Sequence, residues 1–282
     1  ILTIVFLLMT SFAYSCIPGK DSFSSEQKQA VVIPDPVLEA EIREVIGKPE
    51  GPIYDSDLQT ITRLNVNGGA ASLEGLEYCS NLTDLSVSDN RIIDLSPLSG
   101  LVKLEKLDLR DNMVSDISPL ATLTNLYGLT LSQNQIFDIT PLKYLKSLEI
   151  LQLYSNHLPD VSPISSMTNL RYLDISNCEI TDITCLSNLT SLEFLTIGNN
   201  PVFDISPISK LKNLKKLSFR ESALVDISAL STLTSLEQLD LAKNNIVDIS
   251  PLDSLDNLHR LSLGGNRIHD VSPLAGMSLL ET

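Results

Sequence analysis

A repeat of 22 residues runs through most of this 282-residue chain and constrains what it can fold into. An invariant leucine marks nine successive periods, at Leu85, Leu107, Leu129, Leu151, Leu173, Leu195, Leu217, Leu239 and Leu261. An apolar residue follows two positions later, then usually an asparagine. An invariant aspartate comes next, at Asp94, Asp116, Asp138, Asp160, Asp182, Asp204, Asp226, Asp248 and Asp270. A weaker, shorter period precedes them at Leu64, Val66 and Gly69. Such self-similarity predicts a solenoid of stacked coils.

The residues within one period predict the shape of one coil. Leu-x-Leu alternates between inward and outward positions, as a short β-strand does. Because one coil cannot bury its own apolar side, neighbouring coils must stack and share a core. Ten coils would place ten parallel strands about 4.8 Å apart, in a concave sheet on the order of 45 Å long. We expect the recurring asparagine to be buried and to bridge backbone groups of adjacent coils. We expect the Ser/Thr-Pro step to begin a short helical turn with the hydroxyl as its cap.

The period matches the pattern L-x-x-L-x-L-x-x-N/C-x-L of the leucine-rich repeat. Residues 34–282 resemble the 22-residue leucine-rich repeats of bacterial surface proteins of the internalin type. The resemblance implies an α/β solenoid shaped like a horseshoe, with a parallel concave β-sheet and short 3-10 or helical turns on the convex side. It also implies a helical cap before the first coil, which would cover the open edge of the sheet.

The stretch before the repeats has the pattern of that capping helix. Asp35 and Pro36 suit its N-cap and first helical position, and Gly47 suits its end. Its predicted apolar face consists of Leu38, Ile42, Val45 and Ile46.

The N-terminal residues have the pattern of an export signal. Residues 1–13 form an uncharged, mostly apolar block. Ala13 and Ser15 precede Cys16, an arrangement that resembles the lipobox of bacterial lipoproteins, in which this cysteine is lipidated and becomes the mature N-terminus. Leucine is usual where Ala13 stands, and Tyr14 is bulky. Plain secretion and an uncleaved anchor therefore stay open beside lipidation at Cys16, and each of the three places the mature chain outside the cytosol.

These patterns divide the chain into four segments. A signal peptide is expected over 1–15, a Ser-rich tether over 16–33, a helical cap over 34–63, and leucine-rich repeats, one degenerate and nine regular, over 64–282. The sequence begins without a charged n-region and ends in ordinary repeat sequence. We therefore expect the natural protein to extend beyond both ends.

The charge balance restricts the class of partner. The formal net charge is −15, which argues against nucleic acid and against an anionic membrane surface, because both require a basic patch. We expect contact with a membrane only through an N-terminal lipid or signal segment. A monomer that binds a protein ligand is the expected form.

Two cysteines seven residues apart, Cys178 and Cys185, invite a metal or redox interpretation. In the repeat they occupy the asparagine column and the proline column, which lie half a coil apart. A disulfide requires Cα atoms within about 7 Å, and no histidine stands close by in sequence to complete a zinc site. Buried structural thiols are therefore favoured over a functional pair. Cys79 occupies a core leucine column and is predicted to be buried as well.

The aspartate column has a structural and a calcium-binding interpretation. The favoured role is that each aspartate accepts hydrogen bonds from backbone N–H groups of the turn that follows it. A calcium ladder is the less favoured alternative, because calcium takes about six to eight oxygen ligands and each period supplies one acid. His157, His259 and His269 are scattered, and no Ser-His-Asp, HExxH or phosphate-loop motif occurs. We expect no catalysis, no cofactor and no metal.

The outward positions of the strands form the candidate binding surface. Most of them are small or polar, but Ile150, Tyr172 and Phe194 come from three successive coils in one column. Apolar and aromatic groups with a cationic rim are typical of protein-binding hot spots. Cross-strand packing that only stabilises the sheet is the alternative. The predicted ligand-binding residues are Lys106, Arg110, Ile150, Tyr154, Tyr172, Phe194, Lys216 and Arg220.

Three functional hypotheses follow. The first is an extracytoplasmic, lipid-anchored or secreted scaffold that binds a protein on its concave face, as the resemblance to internalins implies. The second is a targeting arm of a larger surface protein whose enzymatic or wall-binding domain lies beyond residue 282. The third is an intracellular scaffold similar to phosphatase regulators built from 22-residue repeats, and it requires residues 1–15 not to be a signal.

Overall fold

The computed structural model describes residues 28–281 of the chain. The predicted signal peptide, the candidate lipidation site Cys16 and the tether up to residue 27 lie outside the described residues. No helix between residues 28 and 281 is long and apolar enough to cross a bilayer.

A small cap precedes the repeats. Its helix α1 (Pro36–Ile46) begins at the N-cap Asp35, whose carboxylate accepts N–H groups of Val37 and Leu38 at 2.9 and 3.0 Å. The helix ends at Gly47, which has a φ of 64° and so adopts the left-handed conformation that glycine permits. Both predicted ends are thereby confirmed. The sequence pattern missed the other cap elements, which are an antiparallel pair of β1 (Ala30–Val31) and β2 (Ile53–Tyr54), and a short helix α2 (Asp55–Leu58).

Asp35 also joins the cap to the first coil. Its second carboxylate oxygen accepts the N–H groups of Ala71 and Ser72 at 2.7 and 3.2 Å. Burial disfavours ionisation of this carboxyl, but its backbone N–H donors outweigh burial and hold the pKa of Asp35 below its usual value. One acidic side chain therefore both starts α1 and fixes the position of α1 against the repeats.

The predicted apolar face of α1 is correct except at Val45. Leu38 and Ile42 are buried and Ile46 packs against the core, whereas the side chain of Val45 is 50% exposed. Leu38, Ile42 and Ile46 pack toward the first coil, because α1 lies against the end of the sheet. Val45 faces the concave side instead, where it borders a surface hollow together with Arg63.

Ten parallel strands form one sheet in sequence order, as predicted. The strands are β3 (Arg63–Asn65), β4 (Asp84–Ser86), β5 (Lys106–Asp108), β6 (Gly128–Thr130), β7 (Ile150–Gln152), β8 (Tyr172–Asp174), β9 (Phe194–Thr196), β10 (Lys216–Ser218), β11 (Gln238–Asp240) and β12 (Arg260–Ser262). The invariant leucine is the middle residue of each strand from β4 onward, and it pairs with the equivalent leucine of the next coil. The degenerate first coil joins in the same register, with Leu64 opposite Leu85. Leucine and isoleucine from every coil merge into one continuous core.

A short 3-10 turn on the convex side returns the chain in every coil. The turns span Leu76–Tyr78, Ser96–Leu98, Ser118–Thr122, Thr140–Tyr144, Ser162–Ser166, Thr184–Asn188, Ser206–Lys210, Ser228–Thr232, Ser250–Leu252 and Ser272–Leu274. The side chain of each of the nine aspartates accepts the N–H of the Ser or Thr two residues later, at 2.7–2.8 Å. The predicted turn role of the aspartates is thereby confirmed.

The prediction that the hydroxyl caps these turns is wrong. In the turns that begin at Ser96, Ser118 and Thr140, the N-cap position holds an apolar residue and no side chain accepts a capping N–H there, because the Ser or Thr is the first residue of the turn itself. In the first regular coil, the Ser96 hydroxyl donates to Asp94 at 2.7 Å. Asp94 stands two residues before Ser96, and its carboxylate reaches the free backbone N–H of Ser96 that a cap must satisfy.

The asparagine column forms the expected buried ladder. The Asn112 amide donates to the Val87 carbonyl of the preceding coil at 2.8 Å and to the Leu109 carbonyl of its own coil at 3.0 Å. Its carbonyl oxygen accepts the N–H of Ile92 at 2.9 Å. One side chain thus satisfies backbone groups on two coils that the strands leave unpaired.

Cys178 takes the place of asparagine in this ladder, with different hydrogen bonds and a different turn. Its thiol donates to the carbonyls of Leu153 and Ser176, both at 3.2 Å, as the amide would. A thiol has no carbonyl oxygen to offer, and the N–H of Leu158 is accepted by the Cys178 backbone carbonyl at 3.0 Å. The turn changes accordingly, with left-handed residues on both sides of Cys178. Ser222 interrupts the ladder with the same double left-handed turn.

Candidate functional site

The concave sheet brings the predicted aromatic column together. Across neighbouring strands, Gly128 pairs with Ile150, Ile150 with Tyr172, Tyr172 with Phe194, and Phe194 with Lys216. Ile150 is 41% exposed and Phe194 37% exposed, while Tyr172 between them is partly buried. Three large side chains therefore stand side by side on a face whose other outward residues are mostly small or polar.

The rings of Tyr172 and Phe194 form the centre of this surface. Their centroids are 6.1 Å apart and their planes are inclined by 31°, within the range of aromatic pairs in proteins. A hollow of about 400 Å³ opens beside them. It is lined by Tyr172, Phe194, Thr196, Lys216 and Gln238. We refer to Ile150, Tyr172 and Phe194 as the aromatic patch.

The four predicted cations differ in their surroundings. Arg110 lies 3.4 Å from Asp108 of its own coil. Arg220 lies 3.3 Å from Glu221 and 3.9 Å from Asp240. Both guanidinium groups are about half exposed and lie beside carboxylates, which partly offset their charges. Lys216 is exposed and lines the hollow beside Phe194.

Lys106 lies beside the ring of Tyr127, which belongs to the next coil. Its ammonium lies 5.3 Å from the ring centroid of Tyr127, a cation–π distance. The Tyr127 side chain is the main cause that raises the pKa of Lys106 above its usual value of 10.5, so this cation stays charged. Tyr154 is 41% exposed beyond the end of β7 and lines neither the hollow beside Phe194 nor the one next to Lys106.

A larger hollow, of about 580 Å³, lies at the N-terminal end of the concave face. We call it the N-terminal trough. Val45 of α1 stands at one end and Ile150 at the other, with Arg63, Lys106 and Tyr127 along its length. Sequence reasoning missed Tyr127, Arg63 and Val45 as site residues.

A sequence signal for one of these residues was present. Tyr127 stands two positions before the invariant leucine, in a column otherwise occupied mostly by charged residues such as Glu105, Glu149 and Arg171. A lone aromatic residue in a charged column is the mark that could have identified it. No such mark exists for Val45, because its exposure depends on how the cap packs.

A second row of exposed apolar residues lies on the flank of the solenoid. Phe203, Val225 and Val247 occupy one column of three successive coils, between the strands and the convex turns. Phe203 is 73% exposed. We call this row the flank row. It lines neither concave hollow and provides a chemically similar surface against which the aromatic patch can be compared.

The cysteines are structural in the described part of the chain. Cys79, Cys178 and Cys185 are free, with Cys79 and Cys178 buried and Cys185 partly buried. Burial raises the pKa of Cys79 to about 12 and those of Cys178 and Cys185 to about 11, so all three remain protonated thiols at neutral pH. Between residues 28 and 281, no group of three or more His, Cys, Asp or Glu side chains is arranged to hold a metal ion.

Comparison with known proteins places this geometry in a family. The family described as leucine-rich repeats (2 copies) matches residues 80–122, 102–144, 146–188, 168–210, 212–254 and 234–276. The solved structure of an internalin (InlF) from Listeria monocytogenes is 38% identical, with a TM-score of 0.86, over 88% of this chain and 74% of that chain. The chain belongs to the internalin family of leucine-rich repeat proteins.

Other solved structures support the same fold. Internalin C2 (InlC2) from Listeria monocytogenes is 32% identical, over 88% of this chain and 91% of that chain, with a TM-score of 0.58. The leucine-rich repeat ectodomain of the receptor kinase GASSHO1/SCHENGEN3 from Arabidopsis thaliana is 27% identical, over 71% of this chain and 26% of that chain, with a TM-score of 0.62. The sequence has no significant match among curated proteins.

Proposed function

We propose that this internalin-family protein is an extracytoplasmic scaffold that binds a protein ligand on the aromatic patch of its concave face. One observation carries the proposal: Ile150, Tyr172 and Phe194 are in register on adjacent strands and stay partly exposed. Protein interfaces concentrate their binding energy in a few aromatic and large apolar side chains surrounded by polar ones.

The geometry of the rings favours binding over a purely structural role. Tyr172 and Phe194 touch one another, but the hollow beside them leaves the ring surfaces accessible. Lys216 and Gln238 at the edge of the hollow supply hydrogen-bond donors that would orient a ligand. Cross-strand packing alone requires neither the hollow nor the exposed part of Phe194.

A similar solved structure supports a protein or peptide partner. The receptor ectodomain that resembles this chain was solved in complex with CASPARIAN STRIP INTEGRITY FACTOR 2. Since the solenoid is a shared scaffold, binding on such a fold is the expected activity, and the identity of the ligand depends on the outward residues.

The test uses a selected peptide probe and matched variants. A phage-displayed library of random peptides is selected on the protein, and the enriched peptide is synthesised and titrated by calorimetry. We expect the double variant Tyr172→Ala/Phe194→Ala to lower the affinity at least about tenfold, because the largest apolar contacts are lost. The control is Phe203→Ala/Val225→Ala, which removes a comparable exposed apolar surface from the flank row.

Two outcomes would contradict the proposed site. One is an unchanged affinity in the patch variant. The other is an equal loss in the patch and flank variants, which would indicate general instability rather than a site. Circular dichroism melting of each variant separates folding defects from lost contacts.

For the location, we propose export and lipidation at Cys16. The support is the sequence pattern around Cys16. A bacterial host that expresses the natural gene is grown with an alkyne-bearing fatty acid. We expect the protein to carry the alkyne label, and we expect Cys16→Ser to abolish it. Export without label would favour plain secretion, and recovery of unlabelled protein from the cytosol would contradict export.

A further inference from the structure

The N-terminal trough exists because its floor is made of small residues. Gly128 stands in the column between Lys106 and Ile150, where other coils carry longer side chains. Ser86 and Thr130 occupy the neighbouring column. The ends of the trough are four strand intervals apart, from the cap beside β3 to Ile150 on β7, or about 19 Å at the usual strand spacing.

The trough is shaped for a macromolecular partner. A small-molecule pocket encloses most of its ligand, whereas this depression lies on the open face of a sheet. A partner that binds here must therefore cover the open side of the depression with its own surface. A segment of a protein ligand that lies across the strands would cover it.

The lining favours one kind of side chain. Val45 and Ile150 present partly exposed aliphatic groups, which suit an apolar body. The ring of Tyr127 can contact an aromatic side chain of a ligand, and the ammonium of Lys106 lies 5.3 Å from the centroid of that ring. Aromatic rings gain from ring–ring and cation–ring contacts that an aliphatic group cannot make.

The charges of the trough oppose a polyanionic partner. Arg63 lies 3.6 Å from Asp84, so this cation is offset by a carboxylate inside the trough. Asp108, which also contacts Arg110, lines the trough as well, so the two lining cations Arg63 and Lys106 are accompanied by two carboxylates. Such a balanced surface has no excess positive charge for phosphates, which agrees with the net charge of −15.

The trough is continuous with the aromatic patch. Ile150 forms one end of the trough and also pairs with Tyr172. We propose that the N-terminal trough is a second anchoring site, which takes an aromatic side chain from the same protein ligand that binds the aromatic patch. This inference rests on the proposed function for the identity of the partner, but the site itself can be tested alone.

The test uses free indole as the probe for an aromatic side chain. The protein is labelled at its Val and Ile methyl groups, and indole is titrated by NMR. We expect saturable shifts of the Val45 and Ile150 methyl signals, and weaker shifts with cyclohexanol, which has no aromatic face. Absence of a saturable shift at Val45 would overturn the proposal, and equal responses to both compounds would overturn the aromatic assignment.

A space-filling variant shows where the probe binds. A Cβ at Gly128 would lie 3.7 Å from Cγ of Lys106, an ordinary contact, and the backbone there is outside the left-handed region. Gly128→Phe should therefore fold and fill the trough, and should weaken indole binding at least about tenfold. The matched control is Gly264→Phe beyond β12, where a Cβ meets no atom within 4 Å. An equal effect of both variants would overturn the site.

Two further results distinguish this inference from the proposed function and from dimerisation of the chain. If Tyr172→Ala/Phe194→Ala leaves peptide binding intact while indole still shifts Val45, the proposed function fails and the trough stands. If sedimentation shows a dimer that Gly128→Phe dissociates, the occupant is a second copy of this chain and the proposal is overturned.

Discussion

The rings of Tyr172 and Phe194 lie 6.1 Å apart across adjacent parallel strands, on the solvent side of the sheet. Each side chain belongs to a different coil, so their contact depends on the stacking of the coils and not on local sequence. The contact places two aromatic surfaces at the centre of the proposed binding face. It is also open to direct measurement.

The ring contact is expected to be energetically modest. A double-mutant cycle of Tyr172→Ala and Phe194→Ala, measured by urea unfolding, should give a coupling free energy of about 0.5 kcal/mol, since the rings are partly exposed. A coupling above about 2 kcal/mol would favour a structural role for the pair over a binding role.

The asparagine ladder predicts a difference between Asn112 and Cys178. Asn112→Ala would leave the N–H of Ile92 without a partner, whereas the Val87 carbonyl would still accept from Asn90, so the free energy of unfolding should fall by about 2 kcal/mol. Cys178→Ala should cost about 1 kcal/mol, because a thiol is a weak donor and the Leu158 N–H keeps its backbone partner. Urea unfolding monitored by circular dichroism measures both, and a cost at Cys178 equal to that at Asn112 would contradict this account.

The three described thiols should be unreactive in the folded protein. Burial raises their pKa values to about 11–12, so the reactive thiolate is scarce. In a Cys16→Ser variant, Ellman's reagent at about pH 8 should not react with the native protein but should titrate three thiols after unfolding in guanidinium. Fast reaction of the native protein would show that at least one of these cysteines is accessible and activated.

The aspartate turns predict a loss of stability in acid. The N–H and hydroxyl of Ser206 hold the pKa of Asp204 below its ordinary value of 3.8, although Asp182 and Asp226 oppose this shift. A lowered folded-state pKa contributes stability that is present above the unfolded pKa and is lost as pH falls through the folded pKa. Stability should therefore decline as pH falls below about 4, and Asp204→Asn should make this decline shallower. Equal pH profiles of the variant and the wild type, measured by thermal unfolding, would contradict the assignment.

The repeat made much of the structure predictable. Every coil packs the same types of residue at the same positions. The spacing of Leu107, Asn112 and Asp116 therefore determines the strand, the buried asparagine and the turn of their coil. The register of Ile150, Tyr172 and Phe194 follows from the period alone. The ends of α1 were also readable, since Asp35 and Gly47 act through local backbone chemistry.

Some features of single coils required the structure. The aspartate, and not the hydroxyl, satisfies the turn, because reach and angle decide between two nearby oxygens. The ion pairs of Arg110 and Arg220 depend on side-chain directions that a column alignment does not contain. Cys178 fits the ladder only through an altered turn.

The sequence by itself determined the solenoid, the composition of its concave face and the aromatic column, because these are consequences of a period repeated nine times. Only the tertiary structure decided where the cap meets the sheet. That contact occurs once, so no repetition encodes it. It turns Val45 toward the concave side and, with the small Gly128 and the ring of Tyr127, creates the N-terminal trough.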